Sequence, residues 1–452
     1  MAPSYKAGLS IVRSRVTEAF SNVGDDMTKP ADRYTLISAD THAGGSVRGY
    51  KPYLESRWHD DFDAWADAVE ERFMKMGGGG KIAVGSDAAD DMNRNWDSDR
   101  RLKEMHEDGV VAEVIFPNTQ PPFAPLASSS LQAPKLTAED GEQRWAGLRA
   151  HNRWLVDFCN DAPGQRAGIV QTFLNDVPGT VHELEWAKEA GLTGGILIPG
   201  CPPGSGMVPL YAPGEYEPIW SVCEDLGHVV HTHSGSGVPD FGPYHPTATA
   251  MFMLEVRWWA HRPLWALIFE GVFQRHPDLQ FVIAEAGSAW VPDTLHELDQ
   301  FYGRMKYELD SPEYIFGGAC VAPLDLKPSE YFARNCHIAA SFLRPNEAPM
   351  RHEIGLDKLM WGSDYPHRES SYPYTKEHLR LTFEGIDPSE VEQMVTTNAA
   401  ELYGFDRAVL DPIAAQYGPT VAEVATPISL DDIPADALMC PAFAPENQRA
   451  AA

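Results

Sequence analysis

The chain has 452 residues, of which 36 are Lys or Arg and 65 are Asp or Glu, giving a formal net charge of −29. So acidic a surface argues against nucleic acid or an anionic membrane as a partner. A content of 43% hydrophobic and 22% charged residues is that of a globular protein, and six scattered cysteines with no CxxC pair read as reduced thiols.

Residues 1–33 read as an N-terminal extension. Its opening, MAPSYKAGLSIVRSRVTEAF, lacks the apolar core and small-residue cleavage site of a secretory signal. The most apolar later stretch, LWALIFEGVF at 264–273, is too short to span a bilayer and carries Glu270. A cytoplasmic protein is expected.

Eight short runs rich in Val, Ile and Phe then follow. They are YTLISADTH (34–42), VAEVIFPN (111–118), QRAGIVQTFL (165–174), GGILIPG (194–200), HVVHTHSG (228–235), FVIAEAG (281–287), CHIAASF (336–342) and KLMWGSDYP (358–366). From the third onward, helix-like segments such as GTVHELEWAKEAGL (179–192) and YEPIWSVCEDLG (216–227) separate them. Alternating β and α segments predict a parallel sheet, and eight strands predict a TIM-type (β/α)8 barrel over residues 34–407. Residues 43–110, with GGGG (77–80) and the acidic stretch 87–101, form a long insertion expected to act as a lid. QPPFAPLASSS (120–130) is a second long loop. Residues 408–452 form a Pro-rich, acidic C-terminal extension that wraps either the barrel or a partner subunit.

Residues two apart on a strand point to one face. Asp40 and His42 therefore project together from the end of the first run, and His231 and His233 from the fifth. Glu285 ends the sixth run, and Asp364 the eighth, followed by His367. These are C-terminal strand ends, where barrel enzymes assemble their sites. A lone buried His is more often a hydrogen-bonded core residue than a ligand. Carboxylates and imidazoles on four converging strand ends point instead to a metal ion. The candidate ligands are Asp40, His42, His233, Glu285 and Asp364, with Asp364, Glu285 and His233 also candidate catalytic groups. His231 lies one step deeper and either binds metal or hydrogen-bonds a residue that does. His367 joins the metal set, binds substrate or caps the following helix. His228 reads as structural, and the Trp258–Trp259 pair as helix packing.

On ISADTH (37–42), EPIWSVCEDLG (217–227), THSG (232–235), FQRHPDLQFVIAEAG (273–287), LMWGSDYPH (359–367) and NAAELYG (398–404), the chain resembles the amidohydrolase-related family of metal-dependent (β/α)8 barrels. That resemblance implies one ion held by Asp40, His42, His233 and Asp364, with Asp364 also able to act as a base. It covers hydrolases, decarboxylases of aromatic or unsaturated acids, and hydratases or lyases. Many of these relatives carry His where this chain has Glu285. A Glu there adds charge and a carboxylate that could bridge two ions, and a small branch resembling the family carries out di-iron oxygenation.

The leading expectation is thus a metal-dependent hydrolase using Zn, Mn or Fe to activate water, with Asp364 taking the proton and His233 or Glu285 orienting or protonating the leaving group. The alternatives are a non-heme di-iron oxygenase with a binuclear iron centre, and a metal-dependent decarboxylase. A small-molecule substrate and a homo-oligomer are expected.

Overall fold

The structure, a computed structural model, describes residues 32–75, 92–125, 136–137 and 139–448. Nearly all of the expected N-terminal extension, the GGGG run, the first part of the acidic stretch and the Ser-rich end of the loop 120–130 fall outside the described residues.

All eight residues of β1 (Leu36–Ala43) and all eight of β2 (Val110–Pro117) are buried. Strands buried on both faces are those of a parallel sheet covered by helices. β3 (Arg166–Gly168) completes a sheet in the order β1-β2-β3. A second sheet runs in chain order through β4 (Val170–Gln171), β5 (Ile196–Leu197), β6 (Val230–His233), β7 (Phe281–Ala284), β8 (Cys336–Ser341) and β9 (Leu359–Gly362). Every pairing in both sheets is parallel. The fold is α/β with parallel sheets.

Each of the eight predicted runs contains a strand. The third contains two, because the chain changes partner at Ile169: the Ile169 N–H donates to Ile115 O at 3.0 Å, whereas that of Val170 donates to Gly195 O at 2.7 Å. At the other margin, residues just past β9 run beside β1. Asp364 N–H donates to Asp40 O (2.9 Å), His42 N–H donates to Tyr365 O (2.7 Å), and Thr41 and Tyr365 form a parallel bridge. One buried cluster draws Ile37, Val114, Ala167, Leu197, Val282, Ala339 and Met360 from seven different strands. Leu410 and Ala414, from the helix Arg407–Tyr417, pack into the same cluster.

Helices lie between the strands and begin and end on local chemistry. Glu217–Leu226 has Pro in its first turn and stops at Gly227, whose φ of 69° is left-handed. The C-terminal segment folds onto its own chain. Val421 N–H donates to Asp32 O at 2.6 Å, and Cys440, Ala442 and Phe443 pack with Phe342 and Leu381. In the long insertion the helices His59–Lys75 and Ser98–Glu107 are described. It reaches the end of β1, where Gly44 N–H donates to Asn95 O (3.2 Å) and Arg101 Nη1 to His42 O (2.8 Å).

Candidate metal centre

Asp40 and His42 sit two residues apart near the end of β1, fully buried and on one side. Gly362 makes room for them, since a Cβ there would lie 2.8 Å from Asp40 Cβ. Glu285 and Asp364 follow immediately after β7 and near the end of β9, with φ of 50° and 62°. Left-handed backbone is uncommon for residues with a side chain and costs roughly 1–2 kcal/mol each. The surrounding ladder holds both in place, through Glu285 N–H to Ala339 O (3.2 Å) and Asp364 N–H to Asp40 O (2.9 Å). Such outliers concentrate at functional sites.

The side chains converge. His42 Nε2 lies 3.5 Å from Asp40 Oδ1 and 3.3 Å from Asp364 Oδ1. His233 Nε2 lies 3.4 Å from Asp40 Oδ1, and His233 Nδ1 lies 3.4 Å from Glu285 Oε2. Ligating atoms of Asp40, His42 and His233 all fall within 4.8 Å of one another; so do those of His42, Asp364 and His367, and those of Glu285, Asp364 and Glu369. His233 Nδ1 faces the Ser234 carbonyl at 2.9 Å, and His42 Nδ1 the Pro117 carbonyl at 3.4 Å. An Nδ1–H donated to a carbonyl leaves the Nε2 lone pair facing the centre.

Buried polar atoms are normally hydrogen-bonded. Here Asp40 Oδ1, His42 Nε2, His233 Nε2 and Asp364 Oδ2 are buried with no hydrogen-bond partner among the described residues. Two carboxylate oxygens and two imidazole nitrogens turned toward one centre are the donor set of a first-row divalent cation. The residues therefore fit the metal that the sequence implies. Concavities of 440 Å³ around His228 and Gln280 and of 690 Å³ beside Trp145 lie away from this centre.

The protein's own charges perturb the site strongly. Burial lowers His42 to about 4, with His367 acting in the same direction. Burial also opposes charge on His233, but Asp40 and Glu285 outweigh it and raise that group to about 9. Desolvation opposes charge on the partly exposed His367 as well, yet Asp364 raises it to about 10. Burial, then the Asp364 charge, raises Glu285 to about 8. Asp364 moves the other way: burial pushes it up, but His367 and His42 hold it well below the usual carboxylate range. An excess of carboxylate thus draws protons onto His233 and His367, positive charge that a divalent cation supplies in a metal site.

The structure brings Asp40, His42, His233, Glu285 and Asp364 together. His367 stands beside them, its Nδ1 at 2.8 Å from Asp364 Oδ1 and its Nε2 at 3.0 Å from Asn118 Oδ1. His231 is engaged elsewhere, with Nδ1 at 3.2 Å from Ile196 O and Nε2 at 2.9 Å from Tyr403 Oη. His228 bonds Leu184 O at 3.0 Å, away from the centre. Trp258 and Trp259 pack edge to face on the helix Thr247–Phe269, with Trp258 42% exposed.

Four further residues were not singled out from the sequence. Ser341, at the end of β8, donates its hydroxyl to Asp40 Oδ2. Glu369 lies with Glu285 and Asp364. Arg101 and Glu113 form a buried pair behind His42, where Glu113 also accepts from Arg166 Nε (3.1 Å) and Thr41 Oγ1 (2.8 Å). The one acidic residue inside VAEVIFPN was a legible signal for this network. Ser341 offered only the end position of its run.

Comparison with solved structures gives the same fold. A 5-carboxyvanillate decarboxylase from Sphingomonas paucimobilis is 20% identical, with a TM-score of 0.55, covering 82% of this chain and 99% of that one. An amidohydrolase from Mycobacterium avium subsp. paratuberculosis is 18% identical, with a TM-score of 0.58, over 83% and 100%. A 5-carboxyvanillate decarboxylase from Novosphingobium aromaticivorans, complexed with manganese and a nitrobenzoic acid, is 17% identical, with a TM-score of 0.59, over 85% and 100%. Comparison with curated protein sequences gives no match. The amidohydrolase family profile matches residues 58–405, well over half of the chain, and the chain belongs to that family.

Proposed function

We propose that this protein is a metal-dependent decarboxylase of a small aromatic or unsaturated carboxylic acid. The observation that carries the reading is the set of four buried, unpartnered atoms, Asp40 Oδ1, His42 Nε2, His233 Nε2 and Asp364 Oδ2, facing one centre. These four residues hold the ion, with manganese the first choice because a structural neighbour contains it. When bound, the ion would supply Lewis acidity that stabilises the negative charge developing on the substrate. Glu285 stands at the open edge, its side chain 22% exposed. Raised to about 8, it holds a proton near neutrality. It donates that proton to the ring or vinyl carbon as the bond to the departing CO2 breaks. His367 bonds Asp364 and keeps it ionised and oriented. His231 lies outside the ligand set.

Hydrolysis, the leading expectation from sequence, uses the same ligands. The neighbours with named reactions favour decarboxylation over it. The remaining frame follows the same reading: the strands close as a (β/α)8 barrel over residues 34–407, the insertion 43–110 covers the mouth, and the chain works as a homo-oligomer. A second functional reading has its own observation. Glu285, Asp364 and Glu369 form a further group of ligating atoms, which favours a second ion and di-iron oxygenation.

The test is to incubate manganese-loaded protein in D2O with a panel of hydroxylated benzoic and unsaturated acids. The expected result is CO2 release and one deuterium on the carbon that carried the carboxylate. Turnover of esters or amides with no CO2 release from any acid would overturn the reading.

A further inference from the structure

We propose that Arg257 and Arg344 form an anion subsite beside the metal centre that holds a carboxylate of the substrate. Arg257 lies on the helix Thr247–Phe269, one turn before His261. His261 Nε2 lies 3.0 Å from the carbonyl of Ala286, the residue after Glu285. Residues four apart share a helix face, so Arg257 sits on the face turned to the end of β7. Arg344 lies three residues beyond the end of β8. Its N–H donates to Glu347 Oε2 (3.2 Å), while Glu347 Oε1 accepts from Ser288 and Ala289 N–H (2.8 and 3.2 Å). Glu347 thus ties the segment after β8 to the segment after Glu285, and the two arginines stand over neighbouring strand ends.

Both arginines are half-buried, and neither guanidinium has a hydrogen bond or ion pair to a described residue. Most arginines among the described residues are paired, although Arg72 and Arg262 also lack a hydrogen bond or ion pair. Arg101, Arg153, Arg166, Arg275, Arg351 and Arg407 each hold a carboxylate, and acidic residues outnumber basic ones 65 to 36. Burial and the charge of Arg344 both press on Arg257, while Glu285 and Glu347 act against them from a distance. Two unpaired like charges in a half-buried place repel, and an anion between them relieves that repulsion. The planar guanidinium fork matches a carboxylate in two parallel hydrogen bonds. A singly charged carboxylate suits the place better than a phosphate dianion, because the charges of Glu285 and Glu347 already act on Arg257.

This inference rests on reading the strand-end mouth as the catalytic site, but it concerns recognition and not chemistry. The test is a calorimetric titration of the manganese-loaded full chain with benzoate, benzamide and inorganic phosphate, with metal content measured in parallel. It is run on the parent, Arg257→Gln, Arg344→Gln and the double variant. Each substitution is expected to weaken benzoate about tenfold, the effect of losing one charge-assisted pair. Benzamide binding and metal content are expected to stay unchanged, and phosphate to bind more weakly than benzoate. A benzoate affinity within twofold of the parent in the double variant overturns the proposal, as does absence of benzoate binding to the parent or tighter binding of phosphate. If the Gln variants misfold, Arg257→Lys and Arg344→Lys replace them, and an unchanged benzoate affinity there overturns it equally. If the chain takes up no metal yet binds benzoate through these arginines, the decarboxylase reading falls and the subsite stands.

Discussion

Replacing Glu113 by Gln tests the support behind the metal centre. Glu113 is fully buried between Arg101 and Arg166. Its Oε1 accepts from Arg101 Nε (2.9 Å) and Arg166 Nε (3.1 Å), and its Oε2 accepts from Thr41 Oγ1 (2.8 Å). The amide keeps the shape but removes the anion that the two buried guanidinium groups share. Breaking a buried ion pair from one side costs about 3–5 kcal/mol, a large share of the roughly 5–15 kcal/mol that keeps a domain folded. The effect also has a pH signature. Burial pushes Glu113 up, but Arg101 and Arg166 outweigh it and hold its carboxyl below the usual range. A group lowered in the folded state stabilises above its unfolded pKa, and that contribution is lost as pH falls through the folded value. The gap between parent and variant should therefore be full at pH 7 and narrow below about pH 4. Urea unfolding at several pH values measures it. A difference under about 1 kcal/mol at pH 7 would refute the reasoning, since only a surface pair is that weak.

Three further substitutions probe the ligands. The double change His42→Ala and His233→Ala should abolish stoichiometric metal while the far-UV circular dichroism stays that of the parent; a full metal complement would remove both from the ligand set. Ser341→Ala takes away the hydroxyl bonded to Asp40 and should weaken manganese binding about 10- to 100-fold with little change in Tm, so an unchanged affinity would show that Asp40 needs no such partner. Gly362→Ala places a Cβ 2.8 Å from Asp40 Cβ; it should cost about 1–3 kcal/mol and lower metal occupancy, and an unaltered Tm with full occupancy would contradict it.

Period-two spacing made the centre legible. In a strand buried on both faces, a polar residue near the C-terminal end has few reasons to be there, so Asp40, His42, His233, Glu285 and Asp364 stood out against apolar neighbours. The same rule also admitted His231, whose ring nitrogens both have other partners. It shares the β6 face with His233, but its Nε2 meets Tyr403, a residue 172 positions later in the chain. Contacts of that separation leave no trace in local pattern. Ser341 was missed for a related reason: it acts through one hydrogen bond fixed by strand register. The third run was legible as a strand, but its division between two sheets was not. The exchange of partner at Ile169 depends on backbone geometry, not side-chain type.

Glu285 separates the two readings of the centre, because Asp40, Asp364, Glu285 and Glu369 place more negative charge at one mouth than one divalent ion neutralises. The excess has two outlets. One is a proton: burial and Asp364 raise Glu285 to about 8, so near pH 7 it is an acid and the ion count stays at one. The other is a second cation between Glu285, Asp364 and Glu369. Glu285→Gln distinguishes them, since the amide is isosteric, cannot donate a carboxyl proton and ligates poorly. With Glu285 as the proton donor, the variant should keep one ion per chain and lose about 100- to 10,000-fold in kcat, the usual contribution of a general acid. Parent activity should fall as pH rises through about 8, where the donor loses its proton. With Glu285 as a ligand, the parent should hold two ions, the variant should drop to one, and substrate should drive oxygen uptake. Elemental analysis of parent and variant, beside an oxygen electrode, reads both. We expect one ion in each and no oxygen consumed; two irons in the parent with substrate-dependent oxygen uptake would replace decarboxylation by oxygenation.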